Sequence, residues 1–244
     1  MAASASGDIG EWIVQNGQVQ SATILGSPGN GWTLIGTGAL NGPDSADLVF
    51  SGADGIIADW DMSDNQVTSA NIIGNPGSDW SLVAVADLTG NGTADLLFIS
   101  AAGTVADWWM RNGQATSAHA LGNVGSAWSI VGIGDFNGDG QNDILFRNNS
   151  SGDLAAWMPR NGAVVGVQDF GAPGAGWQVV GIGDYTGGGV SDVLFQNTNG
   201  TMADWEMQSG LAAGVAHVAS VVVMGGAMSG WTVVPAHTGV TLPS

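Results

Sequence analysis

Short apolar segments alternate with Gly-, Asn- and Ser-rich stretches along the whole chain. The clearest stretch has four such segments: Trp128–Gly134, Asp143–Phe146, Leu154–Met158 and Ala163–Phe170. Each segment is strand-length and contains β-branched or aromatic residues, and none keeps a 3.6-residue period. Asn112-Gly113 and Asn161-Gly162 are typical of tight hairpin turns. The pattern therefore predicts antiparallel β-structure without helices.

Tryptophan residues repeat this four-segment unit at a constant spacing. Their first series is Trp12, Trp60, Trp108, Trp157 and Trp205. The second series is Trp32, Trp80, Trp128, Trp177 and Trp231, and only Trp109 lies outside both series. Phenylalanines keep the same period at Phe50, Phe98, Phe146 and Phe195. The chain of 244 residues is therefore five copies of a unit of about 48 residues, which leaves no room for a second domain.

Four short strands per repeat are typical of a β-propeller, because a ring of four-stranded sheets buries each sheet against its neighbours. We predict an all-β fold: one five-bladed β-propeller of four-stranded antiparallel blades, closed by both termini, over residues 1–244. The predicted blades are residues 32–74, 80–122, 128–171 and 177–224, and a fifth made of 231–244 with 7–26.

The fifth blade would draw its strands from both ends of the chain. Ile9–Val14 and Val19–Leu25 would be its third and fourth strands, Trp231–Pro235 its first, and Val240–Leu242 its second. The alternative is that another molecule completes this blade, which would give an exchanged homodimer.

An acidic loop joins the first two strands of each repeat, and the third repeat has its fullest form. This loop is Asp135-Phe-Asn137-Gly-Asp139-Gly-Gln141-Asn-Asp143. Side-chain oxygens at positions 1, 3, 5 and 9, a glycine at position 6 and the backbone carbonyl of Gln141 at position 7 suit Ca²⁺. The alternative is an Asx-rich turn that needs no metal.

The other copies of this loop lose the potential ligands stepwise. The second repeat keeps a weaker set: Asp87, Thr89, Asn91 and Asp95. The corresponding loops of the fourth and first repeats are expected to be empty; they have Asp184, Thr186, Gly188 and Asp192, and Ala39, Asn41, Pro43 and Asp47. Aspartate persists at position 9 in all four loops, which suggests a second role such as accepting backbone N–H groups.

In the third repeat the acidic loop is followed by Asp143-Ile-Leu-Phe146 and then by Gly152-x-x-x-x-Trp157. This repeat resembles the FG-GAP or VCBS-type calcium-binding propeller repeats. The resemblance extends over essentially the whole chain, but only the third loop matches the metal motif residue by residue. It implies a propeller, structural calcium and, more weakly, adhesion or glycan binding, because a fold does not determine a function. Five blades would depart from the seven that are usual among such relatives.

An acid precedes the tryptophan of the first series in four of the five repeats. The pairs are Glu11 with Trp12, Asp59 with Trp60, Asp107 with Trp108, and Asp204 with Trp205; the fourth repeat has Ala156 before Trp157. Adjacent residues of a strand point to opposite faces. The pairs could pack and anchor the blades, or they could form repeated pockets in which tryptophan stacks on a sugar and the acid binds its hydroxyl groups. For the second tryptophan series we expect blade anchoring, with a carbohydrate site in the loop as the alternative.

The charge of the chain restricts its partners. It has 21 acidic residues, three arginines and no lysine, which gives a formal net charge of -18. Such a chain is a poor match for nucleic acid or for anionic membrane surfaces, and no apolar run is long enough to span a membrane. The N-terminal residues do not form a classical signal peptide. We nevertheless expect an extracellular or cell-surface location, because the relatives occur in exported proteins.

Catalysis is not indicated by the sequence. The chain has no cysteine, and we expect His119, His217 and His237 to be surface or loop residues. Most acids recur at repeat positions, whereas the catalytic carboxylates of a glycosidase should be unique. We therefore expect a protein that is not an enzyme: a multivalent, lectin-like module that binds glycans or a glycoprotein surface, with structural Ca²⁺. The alternative is a calcium-stabilised adhesion or scaffold module of a larger exported protein, without sugar specificity.

Overall fold

A computed structural model describes residues 2–4, 6–43, 45–209 and 216–226 of the chain. These residues form nineteen strands in five antiparallel sheets, and the described part contains no helix. The N-terminal sheet consists of β1 (Ala2–Ala3), β2 (Ile9–Gln15) and β3 (Gln18–Gly26).

Four sheets of four strands follow in chain order. Sheet 1 has β4 (Trp32–Gly38), β5 (Asp47–Gly52), β6 (Ile57–Ser63) and β7 (Gln66–Gly74). Sheet 2 has β8 (Trp80–Ala86), β9 (Asp95–Ser100), β10 (Thr104–Arg111) and β11 (Gln114–Asn123). Sheet 3 has β12 (Trp128–Gly134), β13 (Asp143–Asn148), β14 (Leu154–Arg160) and β15 (Ala163–Gly171). Sheet 4 has β16 (Trp177–Gly183), β17 (Asp192–Asn197), β18 (Thr201–Ser209) and β19 (Ala216–Gly226).

Each of these four sheets is an up-and-down meander in which sequential strands pair. The predicted four-strand unit is confirmed, and in sheet 3 the predicted and observed strand bounds differ by at most two residues. The predicted Asn-Gly turns join the third and fourth strands of sheets 2 and 3. Both residues of each turn have positive φ (51° and 70° at Asn112 and Gly113), as a type I′ turn requires.

The hydrophobic core lies between successive sheets. A tryptophan of the first series packs on the phenylalanine of its own sheet, with ring centroids 4.9–5.0 Å apart in all four complete sheets. In sheets 2 and 3 the same ring also lies against a glycine near the end of the preceding sheet: a Cβ built on Gly74 would be 3.1 Å from Trp108, and one on Gly122 would be 3.1 Å from Trp157. A Cβ on the equivalent Gly171, before Trp205, would have no neighbour within 4 Å. The tryptophans of sheets 2 and 3 therefore join two sheets.

The N-terminal sheet differs from the prediction at its first strand. Ala2–Ala3 pairs with Ile9 and Gly10 of β2, so the chain enters at a short second strand rather than at the third. Trp12 of this sheet is 61% exposed, whereas the equivalent Trp205 of sheet 4 is 7% exposed. The predicted strands Trp231–Pro235 and Val240–Leu242 lie outside the described residues.

Connecting loops pack tightly on the turns of the preceding sheet. Val124 N–H donates to the carbonyl of Gly103, which lies in the turn between β9 and β10. A Cβ built on Gly103 would be 2.4 Å from the carbonyl carbon of Gly125. Gly55 is the equivalent residue of sheet 1 and has the same φ of +81°, but its nearest neighbour would be 3.5 Å away.

We expect Gly103→Ala to destabilise the protein more than Gly55→Ala. Both substitutions place a side chain in the left-handed region, at a cost of about 1–2 kcal/mol. Only Gly103→Ala also forces backbone against backbone, which should add about 1–3 kcal/mol. Urea unfolding of the two variants measures the difference, and equal losses would contradict the tight loop packing.

Candidate functional site

The acidic loop of sheet 3 folds around the side chain of Asp135. Its Oδ1 accepts the N–H groups of Gly138 and Asp139, at 2.7 and 3.2 Å, and its Oδ2 accepts that of Gly140 at 2.7 Å. Gly138 and Gly140 have φ of +76° and +81°, which turns the backbone N–H groups inward. The loop is thus closed by its own first residue.

The remaining predicted ligands of this loop have partners within the protein. Asn137 Oδ1 accepts the N–H of Asp139, and Asp139 Oδ1 accepts that of Gln141, both at 2.9 Å. Asp139 Oδ2 lies 2.6 Å from the Arg160 guanidinium. The oxygen donors have the chemistry of a Ca²⁺ loop, but no three Asp, Glu or His side chains of the described residues are gathered closely enough to hold a metal ion.

The aspartate at position 9 anchors the loop in every sheet. Asp192 accepts N–H groups from Tyr185 and Thr186 at 3.0 Å and from Met207 of the third strand at 2.7 Å. Asp47 and Asp95 accept equivalent bonds from the loop and from Met62 and Met110, respectively. This is the backbone-binding role that the sequence suggested.

Asp143 of sheet 3 differs from the other three anchors. It accepts the N–H of Phe136 at 3.0 Å, but Pro159 replaces the methionine of the third strand and has no N–H to donate. Burial raises the pKa of Asp143 to about 8, and the charges of Asp139 and Asp135 add to the rise. The loop with the fullest set of oxygen ligands therefore contains the anchor with the weakest backbone support.

The second acidic loop repeats the arrangement around Asp87. Its carboxylate accepts the N–H groups of Gly90 and Gly92, each at 2.7 Å. Thr89 Oγ1 donates to Asp87 at 3.2 Å, and Asn91 Oδ1 accepts the N–H of Thr93. Burial raises the pKa of Asp95 to about 7. This loop has the same geometry as the third, with fewer charged oxygens.

The acid and the tryptophan of each predicted pair lie on opposite faces of the third strand. Asp59 is opposite Val49, in the core toward sheet 2, and Trp60 packs on Phe50, toward the N-terminal sheet. Asp59, Asp107 and Asp204 are buried, with 0%, 1% and 6% exposure. The two members of a pair thus face different sheet borders, although Asp59 and Trp60 both line a small cleft beside sheet 1.

The buried acids of the pairs have different surroundings. Asp107 accepts the indole N–H of Trp109 at 2.9 Å and bonds His119 Nδ1 at 3.0 Å. His119 is thus a half-buried strand residue, contrary to the expectation of a surface or loop position, whereas His217 is exposed and His237 lies outside the described residues. Burial raises the pKa of Asp59 to about 7 and that of Asp204 to about 6. Glu11 is half-buried at the border with sheet 1, and its Oε2 has no hydrogen-bond partner among the described residues.

Two clefts lie at borders between sheets and have tryptophan walls. The smaller, of about 160 Å³, is lined by Asp59 and Trp60 of one predicted pair, together with Pro28, Trp32, Phe50, Asn71 and Ile72 among others. The larger, of about 710 Å³, lies between sheets 1 and 2. Trp32 and Trp80 line it together with Thr33, Ser51, Ser78, Ser81 and Asp54.

The sequence did not indicate the larger cleft as the main candidate site, although the second tryptophan series could have pointed to it. Trp32 and Trp80 belong to the second tryptophan series, for which a blade-anchoring role was expected. Both rings do pack against the core clusters at the sheet borders. Each ring therefore contributes to the core and to the wall of the cleft.

Comparison with known proteins identifies the repeat. Residues 87–146, which include the second and third acidic loops, match a family model described as FG-GAP-like repeat. The predicted resemblance is thereby confirmed over this segment. None of the curated proteins compared matches the chain.

Solved structures with a similar course of the chain come from different proteins. AofleA from Arthrobotrys oligospora is 17% identical, with a TM-score of 0.46 over 79% of this chain and 59% of that one. Rhamnogalacturonan lyase PL11 from Bacillus licheniformis is 13% identical, with a TM-score of 0.39 over 78% and 47% of the two chains. A post-proline cleaving enzyme from Rickettsia typhi is 11% identical, with a TM-score of 0.44 over 80% and 30%. This chain thus spans between about a third and three fifths of their lengths.

None of the residues with described structure forms a helix of the length and hydrophobicity needed to cross a bilayer.

Proposed function

We propose that this protein is a multivalent glycan-binding module of an exported or surface protein. The observation that supports this most directly is the pair of clefts between successive sheets, each walled by tryptophan. Tryptophan presents a flat apolar face to a sugar ring, and neighbouring hydroxyl and carboxylate groups bind its hydroxyls.

The larger cleft between sheets 1 and 2 is the main candidate. Its volume of about 710 Å³ lies in the range of roughly 300–1,000 Å³ that small-ligand sites usually occupy. Trp32 and Trp80 supply aromatic surface, and Ser51 and Asp54 supply polar groups. Because tryptophan recurs at this place in every repeat, similar weak sites could act together through avidity.

The excess of acid in the sequence agrees with this class of ligand. A formal net charge of -18 repels polyanions such as nucleic acid but not neutral sugars. If no glycan binds, the second hypothesis of an adhesion or scaffold module with a protein partner takes its place.

We expect the protein to bind a subset of neutral glycans on an array, in calcium and in chelator. Trp80→Leu should lower the signal at least tenfold, because it removes the stacking surface of the larger cleft. Tyr185→Leu is the matched control, since Tyr185 is half-exposed in the acidic loop of sheet 4, at the other end of the strands. A folded Trp80→Leu variant with unchanged binding would contradict the assignment of the cleft, and an empty array would contradict glycan binding.

We further propose that the acidic loop of sheet 3 binds structural Ca²⁺. Asp135, Asn137, Asp139, Asp143 and the backbone carbonyl of Gln141 would hold the ion. Pro159 supports this assignment, because it leaves Asp143 without the backbone donor that serves the other three anchors. The Arg160 guanidinium, 2.6 Å from Asp139, would compete with the ion for the same carboxylate.

We expect Ca²⁺ to raise the melting temperature, because an ion that binds only the native state stabilises it by mass action. Asp139→Ala should remove the part of this increase in melting temperature that comes from Ca²⁺ bound in the acidic loop of sheet 3. Arg160→Gln should tighten binding about threefold, or about 0.7 kcal/mol, because it removes the competing charge. Arg111→Gln, which removes an exposed arginine of sheet 2, should not change the affinity. A wild-type melting temperature that does not respond to Ca²⁺ would contradict the calcium proposal.

We also propose that the C-terminal residues close the ring as a fifth blade. Trp12 supports this, because its 61% exposure contrasts with the packing of the same tryptophan in the complete sheets. Beyond the two residues that pair with β1, the edge of β2 from Glu11 onward is open in the described structure. Val240–Leu242 would pair there, and Trp231–Pro235 would supply the first strand.

Oxidative footprinting with light scattering tests this closure. We expect Trp12 to be oxidised about as slowly as Trp60 in a particle of monomer mass. The same protection in a dimer would indicate exchange between two molecules instead. Oxidation of Trp12 several-fold faster than that of Trp60 would contradict a closed fifth blade.

A further inference from the structure

A feature separate from the larger cleft and from the acidic loops is the carboxyl pair of Asp59 and Asp61 in sheet 1, beside the smaller cleft. The two residues are two positions apart on β6 and therefore share one face of the strand. Asn71 pairs directly with Asp59 on the neighbouring strand, and Ser69 pairs with Asp61. Four oxygen-bearing side chains thus converge on one patch of the border with sheet 2.

Asp59 is the innermost member of this cluster, and it has no ion pair with any of the described residues. The residue is 0% exposed, and neither carboxylate oxygen has a hydrogen-bond partner among the described residues. An isolated buried carboxylate is costly, so such a group normally has a proton, an ion pair or a bound cation.

Asp61 closes the outer side of the cluster. It accepts the amide Nδ2 of Asn41 at 2.6 Å and that of Asn71 at 3.0 Å, and also the hydroxyl of Ser69. The turn of sheet 2 covers Asn41, because Gly113 N–H donates to the carbonyl of Leu40 at 3.1 Å. The cluster is therefore partly enclosed by the next sheet and reaches solvent through Asp61 and Ser69.

The equivalent positions of the other sheets show how the fold treats this acid. In sheet 2, Asp107 is compensated by the Trp109 indole and by His119, which occupies the place of Asn71. In sheet 3, Ala156 replaces the acid altogether. Sheet 4 keeps the acid as Asp204, with Glu206 two positions on, which accepts the hydroxyl of Ser220. Sheet 1 likewise keeps the acid, has a second one at Asp61, and has no basic side chain on the facing strand positions. The positive charge that compensates the Asp59 and Asp61 carboxylates must therefore come from outside the sheet.

We propose that the Asp59–Asp61 cluster binds a second divalent cation of the calcium type, separate from the acidic loop. Both carboxylates would ligate the ion, with the hydroxyl oxygen of Ser69 and the amide oxygens of Asn41 and Asn71 after rotation of their amide groups. Hard oxygens from carboxylate, amide and hydroxyl groups, completed by water, are the donor set that Ca²⁺ takes. The ion would tie β6 and β7 to the first loop, whose own ligand positions are Ala39, Asn41 and Pro43.

Counting bound Ca²⁺ in the full chain after removal of metal tests this site. Equilibrium dialysis or native mass spectrometry should show one ion fewer for Asp59→Asn than for the wild type. Asp107→Asn is the matched control, because it changes the same position of the next sheet, where His119 and Trp109 serve the acid. It should keep the wild-type number of ions. Asp61→Asn provides a second variant if Asp59→Asn does not fold, and it should lose the same ion.

The acidic loop is tested separately in the same experiment. Asp139→Ala should lose its own ion whether or not the Asp59–Asp61 site exists, and the double variant Asp59→Asn, Asp139→Ala should lose two. If Asp139→Ala keeps all ions while Asp59→Asn loses one, the loop proposal fails and the present one stands.

A shared proton is the outcome that would overturn the proposal. In that case Asp59→Asn would bind as many ions as the wild type. The native state would hold a proton that the unfolded chain releases above its ordinary pKa of about 4, so the wild type would lose stability as the pH rises through the raised native value. Asp59→Asn would then melt higher than the wild type at pH 8 but not at pH 4.

Discussion

This structure depends on the packing of one tryptophan of the first series at each border between two sheets. Its ring packs on the phenylalanine of its own sheet, and the rings of Trp60, Trp108 and Trp157 also lie against a glycine at the end of the sheet before. These rings therefore join each sheet to its predecessor. A truncation of such a residue to alanine typically costs about 3–5 kcal/mol, which is a large part of the stability of a domain. Trp12 has no such aromatic contact among the described residues, and it is 61% exposed.

This packing separates the two kinds of candidate site. The larger tryptophan-walled cleft lies where the first strands begin and where the second and third strands turn. The acidic loops lie at the opposite ends of the strands, where the first strand passes into the second. A ligand in the clefts and an ion in the loops can therefore act independently, and the ion would support the fold rather than contact the ligand.

Scarcity of basic residues explains the varied surroundings of the buried acids. With three arginines and no lysine for 21 acids, the chain cannot pair its carboxylates internally. The anchoring aspartates use backbone N–H groups, Asp107 uses an indole and an imidazole, and Asp139 uses Arg160. Asp59, Asp143 and Asp204 have the fewest donors, and burial raises their pKa values to about 7, about 8 and about 6. Where internal donors are missing, a proton or a metal ion has to replace them.

The sequence alone predicted the repeat spacing, the four-strand unit, the strand bounds of sheet 3 and the Asn-Gly turns. These features depend on hydrophobic periodicity and turn chemistry, which act over a few neighbouring residues. The sequence also identified Asp192 and its counterparts as anchors, since their persistence in degraded loops needed a role other than metal binding. It also indicated that Asp59 and Trp60 face opposite neighbours, since adjacent residues of a strand point to opposite faces. It could not show that Pro159 deprives Asp143 of a donor, or that Trp32 and Trp80 wall a cleft. Those properties depend on which residues meet across strands or across a sheet border, and such contacts leave no periodic trace in the segments that form them.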